Sequence, residues 1–244
     1  MKVCVIGGSN IDLVAESFQA LKINDSNPGL LHKSIGGVGR NIAENLGRLN
    51  VTTSLITVLG DNADGALIKK ETEATGVKVY PIYKETQPTY LAILDDTKDM
   101  HIAISSMEAM EQLSVEDFLS YEEVVNQSDL IVIDANLPDH ILKTIFERFK
   151  QRIIADGIST VKVKKLTPYL NKIHTLKLNT YEAHALTHTH DSFEQVKQLL
   201  ERGIKQVYVT AGQEGVYYNQ DLEILHHKVK PVNALNATGA GASF

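Results

Sequence analysis

The chain of 244 residues has one cysteine and no tryptophan. A lone thiol, Cys4, excludes an intramolecular disulfide framework and suits a reducing cytoplasm. Its place inside an apolar run marks it as a small buried hydrophobe. Long hydrophobic stretches are also missing. No segment approaches the roughly 18 apolar residues of a membrane span, and the apolar run of MKVCVIGG is too short for a secretory signal. Neither sign of charge dominates. The 24 Lys and Arg face 30 Asp and Glu, a formal charge of −6 without long runs of one sign. That balance argues against a nucleic acid polymer or an anionic membrane as partner. The chain contains no G-x-x-x-x-G-K-[ST] loop, and VIGGSN lacks the complete dinucleotide fingerprint, so P-loop enzymes and dehydrogenases are disfavoured. Repeats, low-complexity tracts and interdomain linkers are absent as well. These absences point to a soluble cytoplasmic protein built as one large α/β domain, 1–244.

What is present is an alternation of two periods. KVCVIG, TSLITVLG, DLIVIDA, RIIAD and QVYVT are short apolar runs ended by Gly, Asp or Thr, the pattern of buried strands. Between them lie helical segments. VGRNIAENLGRLN repeats Val38, Ile42, Leu46 and Leu49 at helical spacing. In SFEQVKQLLERG, Ser192 with Gln195 resembles a capping box, Phe193, Val196, Leu199 and Leu200 form the stripe, and Gly203 stops the helix. Strand followed by helix, repeated, predicts a doubly wound, mostly parallel sheet covered on both faces. Two segments break the rhythm, about 11–35 and 87–104. The second reads as two alternating strands joined at DDTKD. Together they predict a small β insertion over one edge of the domain.

In such a sheet, ligands collect beyond the carboxyl ends of the strands. Six segments fall there: GGSNID, GGVGRN, DAN, KLNTYE, TAGQEG and NATGAG. Taken singly each is ambiguous. Asn179 with Glu182 fits a helix capping box as well as a site, and Asp12 and Asp134 fit caps or turn formers. His184 and His188 form an i, i+4 pair near His190, but no nearby cysteine completes a zinc set, and a solvated helix end accounts for them.

The joint order of these segments resembles the ribokinase-type (PfkB) carbohydrate kinase family over almost the entire chain. GGVGRNIAENLGRL is similar to the family's first signature, NATGAG to its second, and KLNTYEA to its Asn-x-x-Glu element. GGSNIDL, the run from Arg40 to Leu46, TYLAILDD with HIAISSME, and DANL resemble the pseudouridine kinase branch. The resemblance implies ATP-dependent phosphorylation of the 5′-hydroxyl of a nucleoside, pseudouridine first. Ribose, fructose or adenosine kinases of the same family are the alternatives. It implies that Asn10, Asp12, Gly36, Gly37 and Asn41 hold the sugar hydroxyls, with Asp134 and Asn136 beside them. Thr89 and Tyr90 would close over the base or sugar. Thr210, Gly212 and Thr238 would border the nucleotide, and Asn179 and Glu182 would organise a hydrated Mg²⁺, an ion that keeps several of its waters. A monovalent cation is a further possibility, as is a homodimer formed through the β insertion acting as a lid.

The turn Thr238-Gly239-Ala240-Gly241 offers consecutive backbone N–H groups for the transferring phosphate. In the family an aspartate follows as general base. Here the position holds Ala242, whose methyl group cannot accept a proton, and loss of a positioned base costs about 10²- to 10⁴-fold in rate. The family pattern also continues beyond this turn, so the resemblance implies a chain lacking the C-terminal part of the fold and inactive as it stands. Ser106 stands where this branch carries an acid. A nucleoside or sugar binder without catalysis, and a structural fragment with no specific ligand, are the competing expectations.

Overall fold

A computed structural model of the chain describes residues 1–230. Among these residues the strands are β1 (Lys2–Ile6), β2 (Asn10–Ser17), β3 (Gly29–Gly36), β4 (Thr52–Gly60), β5 (Lys78–Lys84), β6 (Thr89–Leu94), β7 (Met100–Ser106), β8 (Leu130–Asp134), β9 (Arg152–Asp156), β10 (Thr175–Asn179), β11 (Gln206–Thr210), β12 (Val216–Gln220) and β13 (Glu223–His227). The helices are α1 (Val38–Arg48), α2 (Ala63–Glu73), α3 (Glu108–Glu111), α4 (Val115–Leu119), α5 (Glu122–Asn126), α6 (Asp139–Arg148), α7 (Thr180–Thr187) and α8 (Ser192–Glu201). Each of the five apolar runs expected as a strand is one.

The large sheet has the order β13-β12-β11-β10-β9-β8-β1-β4-β5. It is parallel except where β12 and β13 turn back as antiparallel strands. Strands successive in sequence diverge on either side of β1, to β4 and to β8, which makes the carboxyl end of β1 a topological switch point where a ligand crevice opens. Alternation along β1 supplies both faces of the core. Cys4 and Ile6 pack with Ile131, Ile133, Ile141 and Leu142, whereas Val3 and Val5 pack with Ala43, Leu55 and Ile68. Each fully buried aliphatic side chain contributes about 1.5–3 kcal/mol. Burial pushes the Cys4 thiol up to about 12, leaving it an inert core residue.

The segments that broke the αβ rhythm form a second sheet of order β3-β2-β6-β7. Its β2–β3 and β6–β7 pairs are antiparallel and its β2–β6 pair is parallel. At the β6–β7 turn the Asp95 carboxylate accepts from the Thr97 and Asp99 N–H groups at 2.8 and 3.0 Å. It also meets His101 Nε2 at 2.7 Å. Bonds to Thr97 and His101 hold this carboxyl below the usual range.

Two helices differ from expectation. On α1 the buried side is Gly39, Arg40, Ala43 and Gly47, while Leu49 is exposed. The helix lies so near its neighbours that a Cβ on Gly39 would sit 2.7 Å from the Gly7 backbone, and one on Gly47 2.6 Å from the Thr75 carbonyl oxygen. Glycine and alanine therefore take the points of closest approach, with Arg40 buried beside them, and Ile42 and Leu46 pack from the flank. At α8 the cap is Asp191, which accepts from the Glu194 N–H at 2.8 Å. Ser192 is already the first helical residue. Gln195 is buried and donates to the Thr180 and Thr189 carbonyls at 3.0 and 2.8 Å.

Candidate active site

The strand ends assemble one crevice of about 410 Å³. The second sheet supplies Asn10 and Asp12, two residues apart on β2 and so on one face of it. Asn10 Nδ2 donates to Asp12 Oδ1 at 2.5 Å. The backbone beneath the Asp12 carboxylate is Gly36, where any Cβ would collide with Asp12 Oδ2. Gly37 adopts φ +101°, and a Cβ there would lie 2.6 Å from Ser9 Cα. Only glycine satisfies both that conformation and that approach. Asn41, one turn into α1, faces the same space.

β6 lies beside β2 with Tyr90 opposite Asp12, and β7 places Ser105 opposite Tyr90. Tyr90 and Ser105 line the crevice. Thr89 does not: adjacent strand residues point to opposite faces, and its hydroxyl donates to the Gln87 carbonyl at 2.9 Å. Ser106 is paired with Thr89 and shares the face turned away from Tyr90 and Ser105.

Asp134 is a second correction. It is fully buried and does not reach the crevice. Oδ2 accepts from the Gly8 and Gly39 N–H groups, both at 2.8 Å, and Oδ1 from the Asn136 N–H at 2.9 Å. It ties the β1 turn, the start of α1 and the end of β8 together. Burial raises its pKa against the pull of those three bonds. Asn136, two residues on, does line the crevice and accepts from Lys162 Nζ.

On the opposite wall Asn179 caps α7 in a full capping box. Asn179 Oδ1 accepts from the Glu182 N–H at 2.9 Å, Glu182 Oε2 accepts from the Asn179 N–H at 2.9 Å, and Asn179 Nδ2 donates to Glu182 Oε1 at 2.7 Å. The capping and ligand readings are thus not exclusive, since both side chains also face the crevice. Glu182 is buried and its pKa is raised, by desolvation above all. Thr210 is the register partner of Asn179 on β11, and its hydroxyl donates to the Leu178 carbonyl at 3.2 Å. Gly212 begins the following turn at φ +56° with open space where a side chain would be. Thr238, Gly239, Ala240, Gly241 and Ala242 lie outside the described residues.

Three charged wall residues were not anticipated from sequence. Asp156 ends β9 in register with Asp134, and Lys177 Nζ donates to it at 3.1 Å. Asp156 was findable by the same strand-end rule, and Lys177 as a lone cation inside the apolar strand TLKLN. Lys162 comes from the 3₁₀ stretch Lys162–Lys172 and carries no sequence signal. A side cavity of about 130 Å³ opens off the crevice between Lys162, Asn136, Ser105, Met107 and Met110.

A doubly wound sheet with a four-stranded β lobe, a Gly-Gly turn under an Asp, and an Asn-x-x-Glu helix cap define a carbohydrate kinase scaffold. The pfkB family carbohydrate kinase model matches residues 1–244, and the chain belongs to that family. It is 32% identical over 250 residues to the pseudouridine kinase of Escherichia coli, covering 98% of this chain and 80% of the relative. A putative sugar kinase from Clostridium perfringens superposes with a TM-score of 0.81 at 30% identity, over 99% of this chain and 80% of that one. Arabidopsis thaliana ribokinase, solved with ribose and ATP, shares the fold with a TM-score of 0.81 at 23% identity, over 99% and 82%. No helix among the described residues is long and apolar enough to cross a membrane.

Proposed function

We propose that the chain is a nucleoside kinase of this family, with pseudouridine as acceptor and ATP as phosphate donor. One observation carries the reading. A crevice with a polyol-type wall of Asn10, Asp12 and Asn41 adjoins a side cavity of polar and apolar lining, the two sharing Asn10, Ser105, Met107, Asn136 and Lys162 as walls, which offers a ribosyl group and an attached base separate places. The 32% identity to a pseudouridine kinase supports pseudouridine as that nucleoside.

The Asp12 carboxylate accepts hydroxyl protons while the Asn41 amide donates, a pairing that fixes a diol in one orientation. Lys162 donates to Asn136 Oδ1 and lines both cavities, and its ammonium has further N–H donors for a base carbonyl. The Glu182 and Asn179 oxygens already accept the capping hydrogen bonds but line the crevice with lone pairs left over, which suits the waters of a hydrated Mg²⁺ rather than direct coordination. When bound, Mg²⁺ neutralises charge on the transferring phosphates. The backbone N–H groups of residues 239–241 would receive the same charge. Residue 242 is the weak point, because alanine cannot take the acceptor hydroxyl's proton.

The test is ADP release from ATP and Mg²⁺ with pseudouridine, uridine and ribose, run on the chain as it stands and on Ala242→Asp. Pseudouridine-dependent release, raised about 10²- to 10⁴-fold by Ala242→Asp, supports the kinase reading. No turnover by either form with any acceptor would sink it. Ala242 itself favours a second reading, a nucleoside binder that has lost chemistry. Saturable pseudouridine binding without turnover in the unaltered chain distinguishes it. Leu30, Leu31, Ile102 and Ile104 on the outer strands of the second sheet are exposed, which supports the further reading that this sheet acts as a lid and pairs with a second copy of the chain. A monomeric mass in light scattering at micromolar concentration would count against the pairing.

A further inference from the structure

Behind the polyol wall sits a buried charge. Arg40 is 5% exposed. One guanidinium nitrogen donates to Asn41 Oδ1 at 2.8 Å and reaches the Ile35 carbonyl at 3.3 Å. The other pairs with Glu44, whose second oxygen accepts from Arg48 at 2.7 and 3.0 Å. Nε has no partner among the described residues. The side chain therefore spans α1 and β3, the point where the two sheets join.

A guanidinium carries five donors and no acceptor. Facing it, the Asn41 amide has one tolerable orientation, oxygen toward Arg40 and nitrogen toward the crevice. The reverse would set N–H against N–H inside a buried site and leave an acceptor pointing at the sugar. Asp12 is the neighbouring acceptor, so the wall offers one donor beside one acceptor. That asymmetry is what a hydroxyl needs to bind in a single sense.

We infer that Arg40 is a positioning residue of the ribosyl subsite, which locks the Asn41 amide with its oxygen inward and its nitrogen toward the crevice as a donor. The inference rests on the reading of the crevice as a ribosyl pocket. The titratable and charged groups around Asp12 are Arg40 on α1, with Glu44 and Arg48 behind it, and the Tyr90 phenol on β6, while β3 sets Ser34 beside it. Burial raises the Asp12 pKa and the Arg40 charge opposes that rise. Removing the charge moves the Asp12 carboxyl further up, so binding is lost at a higher pH as the solution is acidified.

Calorimetry with pseudouridine and with ribose, between pH 5 and 8, is run on the unaltered chain, Arg40→Gln and Arg40→Lys, with thermal melting to confirm folding. Glutamine removes the charge and, having an acceptor of its own, frees the Asn41 amide to flip. Lysine keeps a cation with donors only. Arg40→Gln is expected to weaken both ligands by about 10- to 100-fold and to shift the acid limb of the binding profile upward. Arg40→Lys is expected to restore the profile and most of the affinity. If Arg40→Gln binds like the unaltered chain, or if Arg40→Lys loses affinity and shifts its profile as much as Arg40→Gln, the inference is overturned while the pocket assignment stands. If the unaltered chain binds neither probe, the ribosyl pocket fails and the inference fails with it. Should Arg40→Gln not fold, Arg40→Met, which also removes the charge and every donor but adds no buried polar group, takes its place under the same two criteria.

Discussion

Asp134 gives the sharpest test of how this site is built. Replacing it with alanine strands three N–H donors, on Gly8, Gly39 and Asn136, in a spot with no solvent access. Each orphaned buried donor costs about 1–3 kcal/mol. The sum is tempered by relief of a buried carboxylate and by any water that enters, so a net loss of about 3–5 kcal/mol is expected. Asparagine can keep its oxygen at the Oδ2 position, serving Gly8 and Gly39, and should lose about 1–2 kcal/mol. Urea unfolding with an unchanged m-value measures both. The pH dependence has a definite sign. Burial raises the folded pKa above the ordinary value of 3.8, so the folded state holds more protons through that window and stability falls as pH rises through it. The advantage of aspartate over asparagine should therefore be largest below about pH 4 and shrink toward neutrality. An advantage that grows with pH would refute the assigned direction. A variant with normal stability that fails to bind pseudouridine would refute the structural role itself.

Other expectations are simpler. Asp191→Ala should cost α8 about 1 kcal/mol, whereas Ser192→Ala should stay within about 0.5 kcal/mol; equal losses in thermal melts would restore Ser192 as the cap. Gly39→Ala must push α1 off the Gly7 backbone and should cost about 1–3 kcal/mol, measured by urea unfolding; a neutral effect would mean the helix has room to retreat. Lys162→Met should weaken pseudouridine about tenfold or more and leave ribose unchanged in calorimetry. Equal losses for both would remove Lys162 from the base cavity.

Much of the fold was legible because its strands are short apolar runs ended by Gly, Asp or Thr, a pattern that survives without knowing their partners. The site was legible where chemistry and local geometry coincide: Asn179 and Glu182 signal a cap by spacing alone and also face the crevice. It was misread where a property depends on neighbours far along the chain. Asp134 ends its strand as Asp156 does, yet only contacts with Gly8 and Gly39, 126 and 95 residues away, decide that it turns inward. Thr89 and Tyr90 cannot both face a ligand from one strand, a constraint that strand alternation contained and motif matching ignored. Lys162 was invisible because its 3₁₀ stretch carries no pattern that aims a side chain.

The glycines under the crevice carry a consequence for how this molecule tolerates change. At Gly7 and Gly39, and at Gly37 and Ser9, main chain rests directly on main chain. The spacing between the two halves of the pocket is then fixed by bond lengths and planar amides rather than by how well apolar side chains fill space. Substitutions in the core can erode the lifetime of the fold while the surviving folded molecules still grip a ligand equally well. Affinity and durability are free to drift apart in this scaffold, each under its own set of residues.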